Sequence, residues 1–134
     1  MIGILIVTHK ELAEALMSVW DLILGRGEGV QAISLDPNDP PEVSRQMIQR
    51  GLAQINNGAG AIILTDMLGG TASNLALPFL KEGKVEVVTG VNLPMLMKLP
   101  QIRHKVDLQE AAQALKQSGQ TGITVASEVL RRKK

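Results

Sequence analysis

The sequence predicts an α/β fold, with a mostly parallel open sheet and helices on both faces. Short apolar, β-branched segments alternate along the chain with segments whose apolar residues recur at helical spacing. This alternation is typical of parallel strands joined by crossover helices. Polar residues follow several of the apolar segments directly, which is where open α/β sheets collect functional groups. The 134 residues show no break in composition, so we expect a single domain over residues 1–134.

Composition excludes several classes of function. The formal net charge is +1, and one Trp and one Phe are the only aromatic residues, so little is available to stack on bases and we expect no nucleic acid partner. The absence of Cys rules out disulfides, thiol catalysis and Cys-ligated metals. No apolar run approaches the roughly 20 residues of a membrane helix, and the first residues lack a signal-peptide pattern. We therefore expect a cytoplasmic protein.

The first strand-helix unit occupies the start of the chain. Residues 2–7 form an apolar run, and the strand is expected to end at Thr8. Thr8 and Glu11 match the capping-box pattern, which predicts His9 as the first residue of a helix that ends near Gly25. The apolar stripe of this helix consists of Leu12, Leu16, Trp20, Ile23 and Leu24. The glycine-rich residues 25–29 follow a helix and precede a strand, the reverse of a dinucleotide-binding motif, and are interpreted as a loop.

The second unit begins with a predicted strand over Val30–Leu35 and a Pro-rich turn. Asp39 is the expected cap of the following helix, with Glu42 three residues later. The helix is expected to end before residues 56–58, and its buried face to comprise Val43, Met47, Ile48, Leu52 and Ile55.

The remaining elements follow the same alternation. Strands are predicted over Ala61–Thr65 and Val85–Thr89, separated by a helix that begins near Thr71 and is shortened or bent by Pro78. A short helix over residues 93–99 follows, started by Pro94 and stopped by Pro100. The last elements are a helix capped by Asp107 and running to about residue 118, a β-rich segment over residues 123–126 at a sheet edge, and a basic tail over residues 131–134.

His9 and Asp66 are the candidate catalytic residues, because each follows one of the predicted strands. If these strands are parallel neighbours, the two side chains emerge at the same edge of the sheet. The positive end of a helix at His9 would keep the imidazole neutral and stabilise an anion added to it. Asp66 would accept the proton of one ring nitrogen and leave the other free to attack. The pair therefore suits a phosphorylated His, although His9 as an incidental polar residue and Asp66 as a turn residue remain alternatives.

The loop after Asp66 is the candidate phosphate-binding site. Gly69 and Gly70 allow backbone N–H groups to approach a phosphate closely, and Thr71, Ser73 and Asn74 add side-chain donors. The glycines could instead serve only to turn the chain. No Lys follows them, which excludes a nucleotide-binding P-loop. His104 lies among charged residues and is interpreted as solvated surface, and we expect neither a metal nor a cofactor.

Three stretches, IVTHKELAEAL, LTDMLGGTASNLA and GVNLPML, occur in this order after predicted strands or at their ends. With them the chain resembles the IIA component of the mannose/fructose/sorbose family of the bacterial phosphoenolpyruvate-dependent sugar phosphotransferase system. The resemblance implies that His9 accepts a phosphoryl group from HPr and passes it to a IIB component. It implies a histidine-orienting role for Asp66, and a phosphate-side loop at Gly69, Gly70 and Thr71.

The resemblance has further implications. It implies a homodimer that exchanges an edge strand, in which residues 123–126 pair across the dimer. Contact with the membrane would be indirect, through the IIC/IID permease, and the IIB partner is expected to be a separate protein. Ala72 stands where many members have Pro, which is expected to loosen the loop. Two alternatives stay open: the phosphocarrier subunit of a phosphoenolpyruvate-dependent dihydroxyacetone kinase, and a regulatory module controlled by phosphorylation.

Overall fold

The computed structural model describes residues 1–25 and 27–132, with only the backbone described at Arg132. Four strands form one sheet: β1 (Gly3–His9), β2 (Val30–Leu35), β3 (Ala61–Thr65) and β4 (Val85–Thr89). They are all parallel and lie in the order β2-β1-β3-β4. The strands β1 and β3 are therefore neighbours at the centre of the sheet, where they are buried on both faces.

Seven helices accompany the strands within the described residues. They are α1 (Leu12–Leu24), α2 (Pro41–Ile55), α3 (Thr71–Ala76), α4 (Leu93–Met97), α5 (Leu99–Ile102), α6 (Leu108–Thr121) and α7 (Ala126–Arg132). A 3-10 turn over Leu77–Phe79 follows α3 and contains Pro78, as expected for a helix shortened by Pro. Asp107 caps α6 as predicted, since its Oδ1 accepts from the backbone N–H of Glu110 at 2.8 Å.

Each face of the sheet has its own core, because alternate residues of a strand point to opposite faces. Ile4, Ile6, Ile62 and Leu64 pack against α1, α4, α5 and α6 on one face. Leu5, Val7 and Ile63 pack against α2 and α3 on the other. The predicted fold class is thereby confirmed, with helices on both faces of a parallel sheet.

The start of the first helix differs from the prediction. His9 is the last residue of β1, and α1 begins three residues later at Leu12. The strand is longer because pairing with β2 continues to its end, where Lys10 donates its N–H to the carbonyl of Leu35 at 2.9 Å. The capping box is also wrong: Glu11 makes no side-chain cap, whereas Thr8 Oγ1 accepts from the N–H of Ala13 at 2.7 Å.

Two other predicted helix features are wrong. Asp39 does not cap α2, because Pro40 occupies the cap position and the turn is held by the Asp36 carboxylate, which accepts from Asn38 N–H. Pro100 does not end the helical segment but lies in the first turn of the short helix α5. Four residues predicted to be buried are instead exposed: Leu12, Ile23, Leu24 and Val43.

The C-terminal region also differs from the prediction. Residues 123–125 are irregular and α7 begins at Ala126, so the predicted edge strand is absent from the described chain. The helix forms because Ala, Glu, Leu and Arg, which favour helices, dominate this sequence. Arg26 of the predicted loop and residues 133 and 134 of the predicted tail lie outside the described residues. Within the described part, no helix is long and apolar enough to span a membrane.

Candidate active site

The parallel register of β1 and β3 brings His9 and Asp66 together. Val7 lies opposite Thr65, so the residues that follow emerge at the same edge of the sheet. His9 Nδ1 lies 2.7 Å from Asp66 Oδ2, and the backbone N–H of His9 donates to the same oxygen at 2.9 Å. The juxtaposition expected from the sequence is present, although His9 reaches it from the end of a strand and not from the start of a helix.

Asp66 is held by three donors. Its Oδ1 accepts from the N–H of Met67 at 3.0 Å, in addition to the two bonds from His9. Partial burial alone would raise the pKa of Asp66, but the hydrogen bonds from the backbone and ring of His9, the electrostatic interaction with this ring and the Met67 N–H together lower the pKa below its ordinary value. Asp66 is therefore ionised at neutral pH.

An ionised Asp66 determines which tautomer of the neutral imidazole is stable. The carboxylate can only accept, so the hydrogen in the 2.7 Å contact lies on Nδ1. Nε2 then carries the lone pair. The side chain of His9 is 40% exposed, whereas that of Asp66 is 13% exposed, so the imidazole is the part of the pair that solvent and other molecules can reach.

Gly70 lies directly against the imidazole. A Cβ built on Gly70 would be 2.7 Å from His9 Cε1 and 3.2 Å from Met67 Cγ. The backbone of Gly70 has φ −81°, which any residue can adopt, so Gly is needed here for space. The beginning of α3 can therefore approach the ring edge between the two nitrogens.

The three polar residues at the start of α3 lie in different environments. Thr71, its first residue, and Asn74 are exposed. Ser73 is fully buried, and its hydroxyl donates to the carbonyl of Met67 at 2.5 Å and lies 2.6 Å from Thr65 Oγ1. The Ser73 hydroxyl thus points into the protein. The sequence analysis did not single out Thr65 as part of the site. The one feature that could have indicated it is a hydroxyl on the last residue of a buried strand.

Other potential ligands lie apart from this pair. His104 is exposed, as predicted for solvated surface. Among the residues that the structure describes, no group of three His, Cys, Asp or Glu side chains is arranged to hold a metal ion.

Known proteins are similar to this chain in sequence. Residues 3–116 match the family model EIIA-man, described as PTS system fructose IIA component. The PTS system fructose-specific EIIA component of Bacillus subtilis is 27% identical over 135 residues, which cover 100% of this chain and 92% of that protein. The mannose-specific EIIAB component of Escherichia coli K12 is 33% identical over 98 residues, covering 72% of this chain but only 30% of the longer protein.

Solved structures are similar along almost the whole chain. The phosphotransferase system component EIIA from Streptococcus agalactiae has a TM-score of 0.86 at 28% identity, covering 96% of this chain and 99% of that one. The mannose/sorbose-specific IIA subunit from Enterococcus faecalis has a TM-score of 0.79 at 23% identity, with 92% and 93% covered, and shares the fold. The chain therefore belongs to the EIIA-man family of the sugar phosphotransferase system, whose members are phosphotransfer proteins.

Proposed function

We propose that this protein carries a phosphoryl group on Nε2 of His9, accepting it from HPr and donating it to a IIB component. The observation that supports this most directly is the 2.7 Å contact between His9 Nδ1 and Asp66 Oδ2. The contact occupies one ring nitrogen and leaves the other with a lone pair, on a side chain that remains accessible.

The reaction follows from this tautomer. The lone pair of Nε2 attacks phosphorus in line with the bond to the donor, and that bond breaks with its electron pair leaving on the donor. Nε2 carries no proton, so no proton is removed from the nucleophile. The ring gains positive charge, which the Asp66 carboxylate stabilises through Nδ1–H. Attack on the same phosphorus by the IIB acceptor reverses these changes and restores the neutral ring.

The glycine loop would receive the phosphoryl oxygens. Gly70 permits close approach to the imidazole, and we assign Gly69, Gly70 and the exposed Thr71 to the phosphate side of the site. Ser73 was also predicted to bind phosphate from the sequence. Its buried hydroxyl, already bonded to Met67, favours a supporting role instead.

The test uses the second His of the chain as a matched control. The purified protein is incubated with labelled phosphoenolpyruvate, enzyme I and HPr, and should acquire phosphate that is stable to alkali and labile to acid. His9→Ala should remain unlabelled. His104→Ala should label like the wild type, because His104 is exposed and follows Arg103, whose carbonyl accepts from Ile2 N–H at the end of β1 opposite His9. Labelling of His9→Ala at the wild-type level would refute the assignment.

The acceptor is tested by chasing the label. Family membership supports transfer to a IIB component, and the names of the relatives favour one of a fructose or mannose system. Transfer to a nucleotide-carrying kinase subunit, with none to any IIB, would support the dihydroxyacetone kinase alternative. Binding partners that change with phosphorylation, with no onward transfer, would support the regulatory alternative.

We also propose that the protein is a homodimer, in contact with the membrane only through a IIC/IID permease. Strand β4 forms an edge of the sheet. A groove of about 510 Å³ runs between β4 and α6 and is lined in part by Ile123, which is 77% exposed. Val125 and Leu130, in the segment that follows α6, are also exposed apolar residues. A second copy seated here would cover these three exposed apolar side chains.

A further inference from the structure

Two buried hydroxyls lie behind the loop that carries Asp66. Thr65 and Ser73 are both completely buried, and their side-chain oxygens are 2.6 Å apart. Ser73 Oγ donates to the Met67 carbonyl at 2.5 Å. A hydroxyl has one hydrogen to donate, so the hydrogen between Thr65 and Ser73 belongs to Thr65. The bonds therefore run in one direction, from Thr65 to Ser73 to the Met67 carbonyl.

Met67 connects this chain of hydrogen bonds to the candidate active site. Its carbonyl also accepts from the N–H of Gly70 at 3.3 Å, so two groups hold it. Its own N–H donates to Asp66 Oδ1 at 3.0 Å, while Asp66 Oδ2 faces His9. The position of Met67 therefore influences the rotation of the Asp66 carboxylate. The carboxylate in turn orients the imidazole.

We propose that Thr65 and Ser73 are positioning residues for phosphoryl transfer at His9. They fix Met67, which fixes the plane of the Asp66 carboxylate and so maintains the Nδ1–H tautomer that leaves Nε2 free. Neither residue touches the phosphoryl group. This inference rests on the proposed carrier function and assigns to Ser73 a role different from phosphate binding.

Three variants separate positioning from simple packing. Ser73→Ala removes the donor to Met67 and leaves the Thr65 hydroxyl without its acceptor. Thr65→Val has nearly the shape of Thr and removes only the outer hydroxyl, so Ser73 can still donate to Met67. Thr65→Ser retains a hydroxyl and is the matched control. The initial rate of phosphoryl acceptance from phosphorylated HPr is measured on each folded protein, together with the 15N NMR shifts of the His9 ring.

Ser73→Ala should lower the maximal acceptance rate by on the order of tenfold, because a small misplacement of a catalytic pair is costly, with little change in KM for HPr. Thr65→Val should lower it less, and Thr65→Ser should stay within about twofold of the wild type. The 15N shifts of the slow variants should move towards a mixture of the two tautomers.

Variants that unfold more readily but keep the wild-type rate and ring shifts would overturn the proposal, since that is the behaviour of residues needed only for packing. If Ser73→Ala does not fold, a comparison of the acceptance rates and ring shifts of Thr65→Val and Thr65→Ser still tests the proposal. If the wild type accepts no phosphate, the carrier function fails, whereas the ring shifts still show whether the hydroxyls position the imidazole.

Discussion

Asp66 Oδ2 accepts from both the backbone and the ring of the same residue, His9. The backbone bond does not depend on whether the ring is neutral, charged or phosphorylated. It therefore keeps the carboxylate in place while the ring changes charge during a transfer, so little reorganisation is needed. A carboxylate held only by the imidazole would be free to turn towards water.

These hydrogen bonds predict a specific dependence of stability on pH. Partial burial would raise the pKa of Asp66, but the hydrogen bonds from His9 and Met67 and the electrostatic interaction with the His9 ring outweigh it, so the pKa is lowered in the folded protein. The folded state thus binds protons less readily than the unfolded state. The resulting stability is fully present above the ordinary carboxyl pKa of about 3.9, and is lost as pH falls through the lower folded value.

Asp66→Asn lacks this contribution, so the free energies of unfolding of the wild type and the variant should converge as pH falls from neutral, past the ordinary carboxyl pKa and through the lower folded value. Urea denaturation at a series of pH values measures the difference. A difference that stays constant over this range would contradict the lowered pKa of Asp66.

The two glycines beside the site should respond differently to Ala. Gly69 has φ +85° and nothing within 4 Å of a built Cβ, so Gly69→Ala should cost about 1 kcal/mol of stability through its backbone conformation. Gly70→Ala would meet His9 Cε1 and should displace the ring. The 1H shift of the His9 Cε1 proton should therefore change much more in Gly70→Ala. Equal changes in the two variants would refute the spatial role of Gly70.

Among the elements, three strands have the predicted bounds, and the start of α1 does not. The bounds of β2, β3 and β4 could be read from short runs of apolar and β-branched residues between turns. The residues from Thr8 to Glu11 also favour a helix locally. In the structure, pairing with β2 extends β1 through His9 and delays α1 to Leu12, and this pairing is a long-range contact that local spacing does not report.

Asp39 and Asp107 show that the sequence alone also does not determine which residue caps a helix. Both precede predicted helices and both have a Glu three residues later. Asp107 has an extended backbone and accepts from the N–H of Glu110, whereas Pro40 takes the cap position beside Asp39. The sequence pattern is the same at both positions, but the backbone geometry determines which carboxylate accepts the capping hydrogen bond.

The two Asp residues form a matched pair for measuring the cap. Asp107→Ala should lower the free energy of unfolding by about 1 kcal/mol, because α6 loses its cap. Asp39→Ala should change it by less than about 0.5 kcal/mol, as expected for an exposed residue without such a bond. Urea denaturation of both variants checks this. An equal loss in the two would mean that the Asp107 bond adds nothing.

At the scale of the whole molecule, the sheet order explains how much of the site could be predicted. His9 and Asp66 were found because parallel neighbouring strands bring their carboxyl ends together, and β1 and β3 are neighbours. Ser73 was predicted to bind phosphate because hydroxyls near a glycine pair often do. Its burial depends on how α3 packs against β1 and β3. The spacing of residues along the chain gives no information about this packing.

The same sheet order separates the candidate active site from the proposed dimer surface. His9 ends β1 and Asp66 directly follows β3, the two central strands, whereas the groove lies along the outer strand β4. Both residues of the pair belong to one chain. Loss of the dimer should therefore leave their 2.7 Å contact in place.

This separation leads to a prediction about assembly. The wild type should sediment at twice the 14.4 kDa mass of the chain, and Ile123→Asp should shift it towards the monomer, because a charge would be buried in the interface. Leu22→Asp is the matched control: Leu22 is 84% exposed and lies on α1, away from β4. It should leave the mass unchanged, and all three proteins should accept phosphate at His9. A monomeric wild type, or an Ile123→Asp variant that remains dimeric, would remove the groove beside β4 as the dimer interface.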